Sequence, residues 1–145
     1  MALTKRGQAA VEYLAIVALS LAVLVPVWLY VDGQRTGVDG QLRLGYAQQA
    51  VDRIRDAADL VYAEGPPAQF AVEVNVPDGV LSASIAGKQV ALLVDEPWGA
   101  SEVYAATVAN VTGSLDSFPS FGGPRTVIVK AERNYTDSFV SITEG

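Results

Sequence analysis

The stretch Tyr13-Leu14-Ala15-Ile16-Val17-Ala18-Leu19-Ser20-Leu21-Ala22-Val23-Leu24-Val25-Pro26-Val27-Trp28-Leu29-Tyr30-Val31 carries 19 residues without a charge, and only Ser20 and Pro26 interrupt its apolar character. As a helix it would rise roughly 28 Å, close to the hydrocarbon thickness of a bilayer. An ordinary secretory signal has an apolar core of roughly 7–15 residues followed by a small-residue cleavage site. Here the run is longer and ends in Val27-Trp28-Leu29-Tyr30-Val31, with no Ala-x-Ala pattern, so cleavage beyond it is not expected. Lys5 and Arg6 precede it, while Asp32 and a mainly acidic chain follow. That asymmetry predicts a cytoplasmic N-terminus, everything after Asp32 outside, and Trp28 and Tyr30 at the outer headgroup level.

The remainder of the composition narrows the function classes. The chain has 145 residues, enough for one ordinary domain beside the apolar run. Ten Lys and Arg against 16 Asp and Glu give a formal charge of −6, and no basic face is available for nucleic acid. There is no Cys and no His, which removes disulfide scaffolds, thiolate zinc sites and His-dependent nucleophilic catalysis. No catalytic, cofactor-binding or metal-ligating set is expected, and an enzyme is the least favoured class.

Glu12 stands at the inner edge of the apolar run. A carboxylate costs up to about 2.5–3.5 kcal/mol at mid-bilayer and less near the interface, which its place beside the basic head allows it to reach. The whole string Lys5-Arg6-Gly7-Gln8-Ala9-Ala10-Val11-Glu12-Tyr13-Leu14 is more specific. It resembles the class III signal peptide of archaeal type IV pilin-like proteins: basic residues, Gly-Gln, small residues, then Glu, an aromatic and Leu. The resemblance covers these residues and the apolar run. It implies cleavage by a prepilin peptidase between Gly7 and Gln8, with the apolar helix retained and Glu12 as the fifth mature residue. It further implies that Glu12 pairs with a neighbouring subunit's new α-amine and so registers incoming subunits. A buried carboxylate and a buried amine are each costly alone and tolerable together. The partners so implied are the peptidase, a pilus assembly machinery, the membrane and further copies of this chain.

Beyond the run, Gly33, Gly37 and Gly40 fall within nine residues, Asp32–Gly40. Each costs roughly 1 kcal/mol against Ala in a helix, so this segment is a weak point: a linker, a hinge, or, as we favour, a strained helical continuation. Helical periodicity then resumes. Leu44, Ala47, Val51, Ile54, Ala58 and Val61 lie on one face, with Asp52, Arg53, Arg55, Asp56 and Asp59 opposite. Asp52 and Arg55 are spaced for an ion pair, and the three aspartates read as a solvated face. Gly65-Pro66-Pro67 ends the helix.

From Gln69 the period becomes two. Strands are expected at Phe70–Val76, Val80–Ile85, Gln89–Val94, Val103–Val111, Thr126–Ala131 and Ser138–Ile142. Asp95–Gly99 and the Gly/Ser/Pro-rich Thr112–Pro124 read as loops. The fold class is therefore α+β: a long N-terminal helix followed by a small antiparallel sheet or sandwich, a type IV pilin-like layout. The segments are a leader at 1–7, a membrane and filament-core helix at 8–31, a hinge and amphipathic helix at 32–64, and an extracellular β domain at 65–145. The helix end and first hairpin, from Val61-Tyr62 through Gly87-Lys88, are also similar to other archaeal class III signal-peptide proteins of unassigned role.

Other motifs are thin. Asp95-Glu96 beside Trp98 suggests a calcium or sugar site, but two acids in a loop are ordinarily solvated. Asn110-Val111-Thr112 and Asn134-Tyr135-Thr136 are glycosylation sequons, which gain meaning in a chain placed outside the membrane. The function expected is a structural subunit, major or minor, of a surface filament. The alternative is a membrane-anchored extracellular binding or accessory domain that never polymerises.

Overall fold

The computed structural model describes residues 5–119, 121–135 and 137–145, with the side chains of Lys5, Arg6, Arg35 and Thr36 outside that description. Met1–Thr4 of the expected leader therefore lie outside the described residues. One helix, α1, spans Lys5–Glu64, and the chain divides into two compact units between Asp39 and Gly40.

In the first unit every residue from Lys5 to Asp39 is helical, including Pro26, Gly33 and Gly37. The glycine-rich segment thus continues the helix rather than breaking it. Side chains 8–34 are all exposed, among them every large apolar residue from Val11 to Val31. By length and composition this is a segment able to cross a membrane. Ser20 fits such a solvent because its hydroxyl donates to the Ile16 carbonyl at 2.9 Å, one turn back.

In the second unit the helix behaves differently. Ala47, Val51, Ile54, Ala58 and Val61 are fully buried, Leu44 packs at the edge of the cluster, and Ala50 and Ala57 widen the stripe. The helix stops as its residues require. Gly65 takes a φ of 74° and donates its N–H to the Val61 carbonyl at 3.0 Å, and Pro66 and Pro67 follow.

Seven strands complete this unit: β1 Gln69–Val76, β2 Val80–Ala86, β3 Gln89–Glu96, β4 Gly99–Ala106, β5 Asn110–Gly113, β6 Gly123–Arg133 and β7 Ser138–Glu144. They form two sheets, ordered β1-β6-β7-β5 and β2-β3-β4. All pairs are antiparallel except β5 with β7, which is parallel. Inward side chains of both sheets join the helix stripe in one core, with Val74, Val127, Val129, Val140 and Ile142 from the larger sheet and Val90, Leu92 and Val94 from the smaller.

Three expectations need correction. The run Val103–Val111 is two strands, because the chain leaves the smaller sheet at Ala106 and enters the larger one at Asn110. The turn after β3 is only Pro97-Trp98, with Asp95 and Glu96 inside β3 and Gly99 inside β4. The stretch Thr112–Pro124 is not wholly loop: its ends belong to β5 and β6, and Leu115 and Phe118 within it are both 1% exposed core residues. Gly113 shows why β5 stops there. Its φ is 143°, and a Cβ at this position would run into the Ile142 carbonyl of β7.

Candidate functional site

The residues of the N-terminal motif lie along one helical segment. Gly7 and Gln8 are both helical, and Gln8 Nε2 donates to Glu12 Oε1 one turn on, at a long 3.4 Å. Glu12 is otherwise exposed among exposed apolar neighbours: Val11 is 57% exposed, Tyr13 71% and Leu14 68%. Among the described side chains this carboxylate accepts one long, weak hydrogen bond and is otherwise open.

The second unit has two ends of different character. At the end where the chain enters, Gly40 lies against the Glu96 carboxylate and Pro97 of the β3–β4 turn. Next to it the β1–β2 turn is fixed by the Asp95 N–H donating to the Gly79 carbonyl at 2.7 Å, with the Arg43 guanidinium close by. Asp78 of that turn touches Gly122, beside Phe121. At the opposite end lie Gly65-Pro66-Pro67, the β2–β3 turn at Gly87-Lys88, the corner Thr107–Ala109 and the β6–β7 turn at Asn134–Asp137. They are joined by the Ala131 N–H to the Ala68 carbonyl, the Thr107 N–H to the Lys88 carbonyl and the Val111 N–H to the Gly87 carbonyl.

Both sequon asparagines belong to this far end. Asn110 is exposed at the start of β5, opposite Phe139 of β7, and Thr112 is exposed on the same face. Asn134 is exposed in the turn after β6, where its N–H donates to the Asp137 carbonyl at 2.8 Å; Thr136 of that sequon lies outside the described residues. Sequence alone gave no sign that the two would share one end of the domain.

The charged face of the helix is more than solvated. The expected Asp52–Arg55 pair is present at 3.1 Å, and Arg55 also holds Asp56 at 2.7 Å. Hydrogen bonding to Asp56 holds the Arg55 guanidinium above its ordinary pKa, so it is charged throughout the physiological range. Asp59 departs from the solvated reading: its Oδ1 accepts the Val108 N–H at 2.8 Å, holding the corner between β4 and β5. On the other flank, Arg53 donates to the Glu73 carbonyl of edge strand β1 at 3.1 Å. The expectation of a solvated Asp95-Glu96 is also modified, since Glu96 Oε1 is buried without a hydrogen-bond partner. Among the described residues no group of three or more acidic side chains is arranged to hold a metal.

No known protein family, curated protein or solved structure matches the chain.

Proposed function

We propose that the chain is a structural subunit of an archaeal type IV pilus-like surface filament, freed of residues 1–7 by a prepilin peptidase acting between Gly7 and Gln8. The reading is carried by one observation. A single helix holds a segment whose apolar side chains are all exposed, with Glu12 among them, and a second segment whose apolar stripe is fully used by its own domain. The first segment requires an apolar environment from elsewhere, the bilayer before assembly and neighbouring helices after it. Glu12 in that environment requires a cation, and a neighbour's Gln8 amine supplies one after cleavage. The β domain lies outside the cell and needs no catalytic group for this role.

The test combines processing with assembly. Mass spectrometry of the native protein should find Gln8 as the first residue, and electron microscopy should find the chain in surface filaments. Glu12→Gln should insert into membranes as well as the wild type while entering filaments at a small fraction of its level. Retention of Met1, or normal incorporation of the variant, would overturn the pairing. A processed chain that never appears in filaments would point to the solitary membrane anchor.

A further inference from the structure

Two aromatic side chains stand out of turns at the entry end of the second unit: Trp98 is 80% exposed and Phe121 75%. Leu81, 50% exposed, joins them at a register irregularity between Val80 and Ser82 of β2, where a bulge turns a side chain out of the ladder. The contacts of Gly40 with Pro97, of Gly79 with Asp95, and of Asp78 with Gly122 put all three apolar groups at the same end as Gly40.

We infer that this end of the domain is a lipid-contacting surface, with Trp98, Phe121 and Leu81 seated in the headgroup layer of the outer leaflet while the subunit awaits assembly. The inference rests on the membrane-anchor reading of Tyr13–Val31 and goes beyond it. Only eight residues, nine steps of chain, separate Val31 from Gly40, at most about 32 Å whatever their conformation. The opposite turns are a further eight-residue strand away, about 26 Å, and they present Lys88, Asn134 and Asp137 to solvent together with Val108 and Tyr135, so distance from the span rather than polarity sets the two ends apart. Trp is the side chain with the strongest preference for the membrane interface, since its ring is apolar and its indole N–H finds a partner there. The charged neighbours at this end include Asp78, Asp95, Glu96 and Glu144 against Arg43 and Arg125, so no cationic cluster draws anionic headgroups. The surface therefore takes zwitterionic lipid, through aromatic insertion, and its contact is insensitive to salt.

The full chain, reconstituted at one copy per nanodisc of phosphatidylcholine brominated near the headgroup, tests this. In a Trp28→Phe variant only Trp98 emits, and we expect its emission to be blue-shifted and largely quenched relative to unbrominated discs, equally at low and high salt. Adding Phe121→Ser and Leu81→Ser should restore most of the lost emission. The companion variant Trp98→Phe reports on the span through Trp28. Quenching of Trp28 without quenching of Trp98 overturns the inference and leaves the anchor intact, whereas an unquenched Trp28 removes both. A Trp98 shift that appears only with several copies per disc, without bromine quenching, overturns the inference in favour of a second copy as the occupant.

Discussion

Residues 8–39 and 40–64 of α1 have the same backbone conformation and opposite fates. In the first, Leu14, Ile16, Leu21 and Leu24 are exposed by more than half; in the second, Val51, Ile54 and Val61 are fully buried. Apolar content alone does not separate them. What separates them is that the second alternates its apolar stripe with charges, two of which bind backbone on either flank: Arg53 to β1 and Asp59 to the corner before β5. The first has no such pattern. A helix that is apolar all round is built for a solvent other than water, whereas one striped at 3.6-residue spacing is built for a sheet.

The comparison breaks most severely by removing one partner. A chain beginning at Asp39 should unfold cooperatively, as followed by circular dichroism in denaturant, while one beginning at Gln69 should aggregate or remain molten with its core face bare. Should the shorter chain fold equally well, the stripe is not covering the sheets. Next in size, Ile54→Asp should cost about 3–5 kcal/mol of domain stability by burying an unpaired charge. Ile16→Asp should leave the domain's unfolding midpoint unchanged and reduce membrane insertion instead. Equal effects of the two substitutions on domain unfolding would abolish the distinction between the segments.

Smaller effects sharpen it. Asp59→Ala removes the acceptor of the Val108 N–H and should cost about 1–2 kcal/mol, and Asp59→Asn should recover part of this. The Asp52–Arg55 pair is only half-buried on the helix surface and should be worth about 0.3–0.5 kcal/mol. Gly40→Ala should have little net effect in the wild type, because the gain in helix propensity is offset by displacing the Glu96 side chain. In a Glu96→Ala background the same change should stabilise by about 1 kcal/mol. Additive behaviour of the two changes would show that Glu96 does not constrain the helix at Gly40.

The helix and its stripe were legible because each half has a strong local signature, uninterrupted apolarity in one and 3.6-residue spacing in the other. Ala50 and Ala57 went unnoticed because Ala has no decisive preference for core or surface. The corner between β4 and β5 was hidden for a particular reason: Val103, Ala105, Thr107, Ala109 and Val111 are buried in strict alternation across it, so the period of two persists while the chain changes sheet. Leu115 and Phe118 were masked by a surrounding composition typical of loops. The Asp59–Val108 bond joins residues 49 apart, and no local pattern encodes it. The cleavage and pairing proposed for Gly7, Gln8 and Glu12 involve other molecules, so the fold of a single chain carries no sign of them.

The order of strands has a consequence for how the protein is made. β1 has one sheet neighbour, β6, and that pairing joins residues 69–76 to residues 123–130. The larger sheet closes only when β7 slots between β6 and β5, at the last residues of the chain. Synthesis runs from the N-terminus, so the striped segment emerges early and its cover arrives late. Such distant pairings are slow to form, and the loop entropy is spent before the contacts repay it. During that interval Val51, Ile54 and Val61 are bare. The newborn domain therefore passes through its most sticky state before its last strand is in place, the interval in which a holdase would have the most to do.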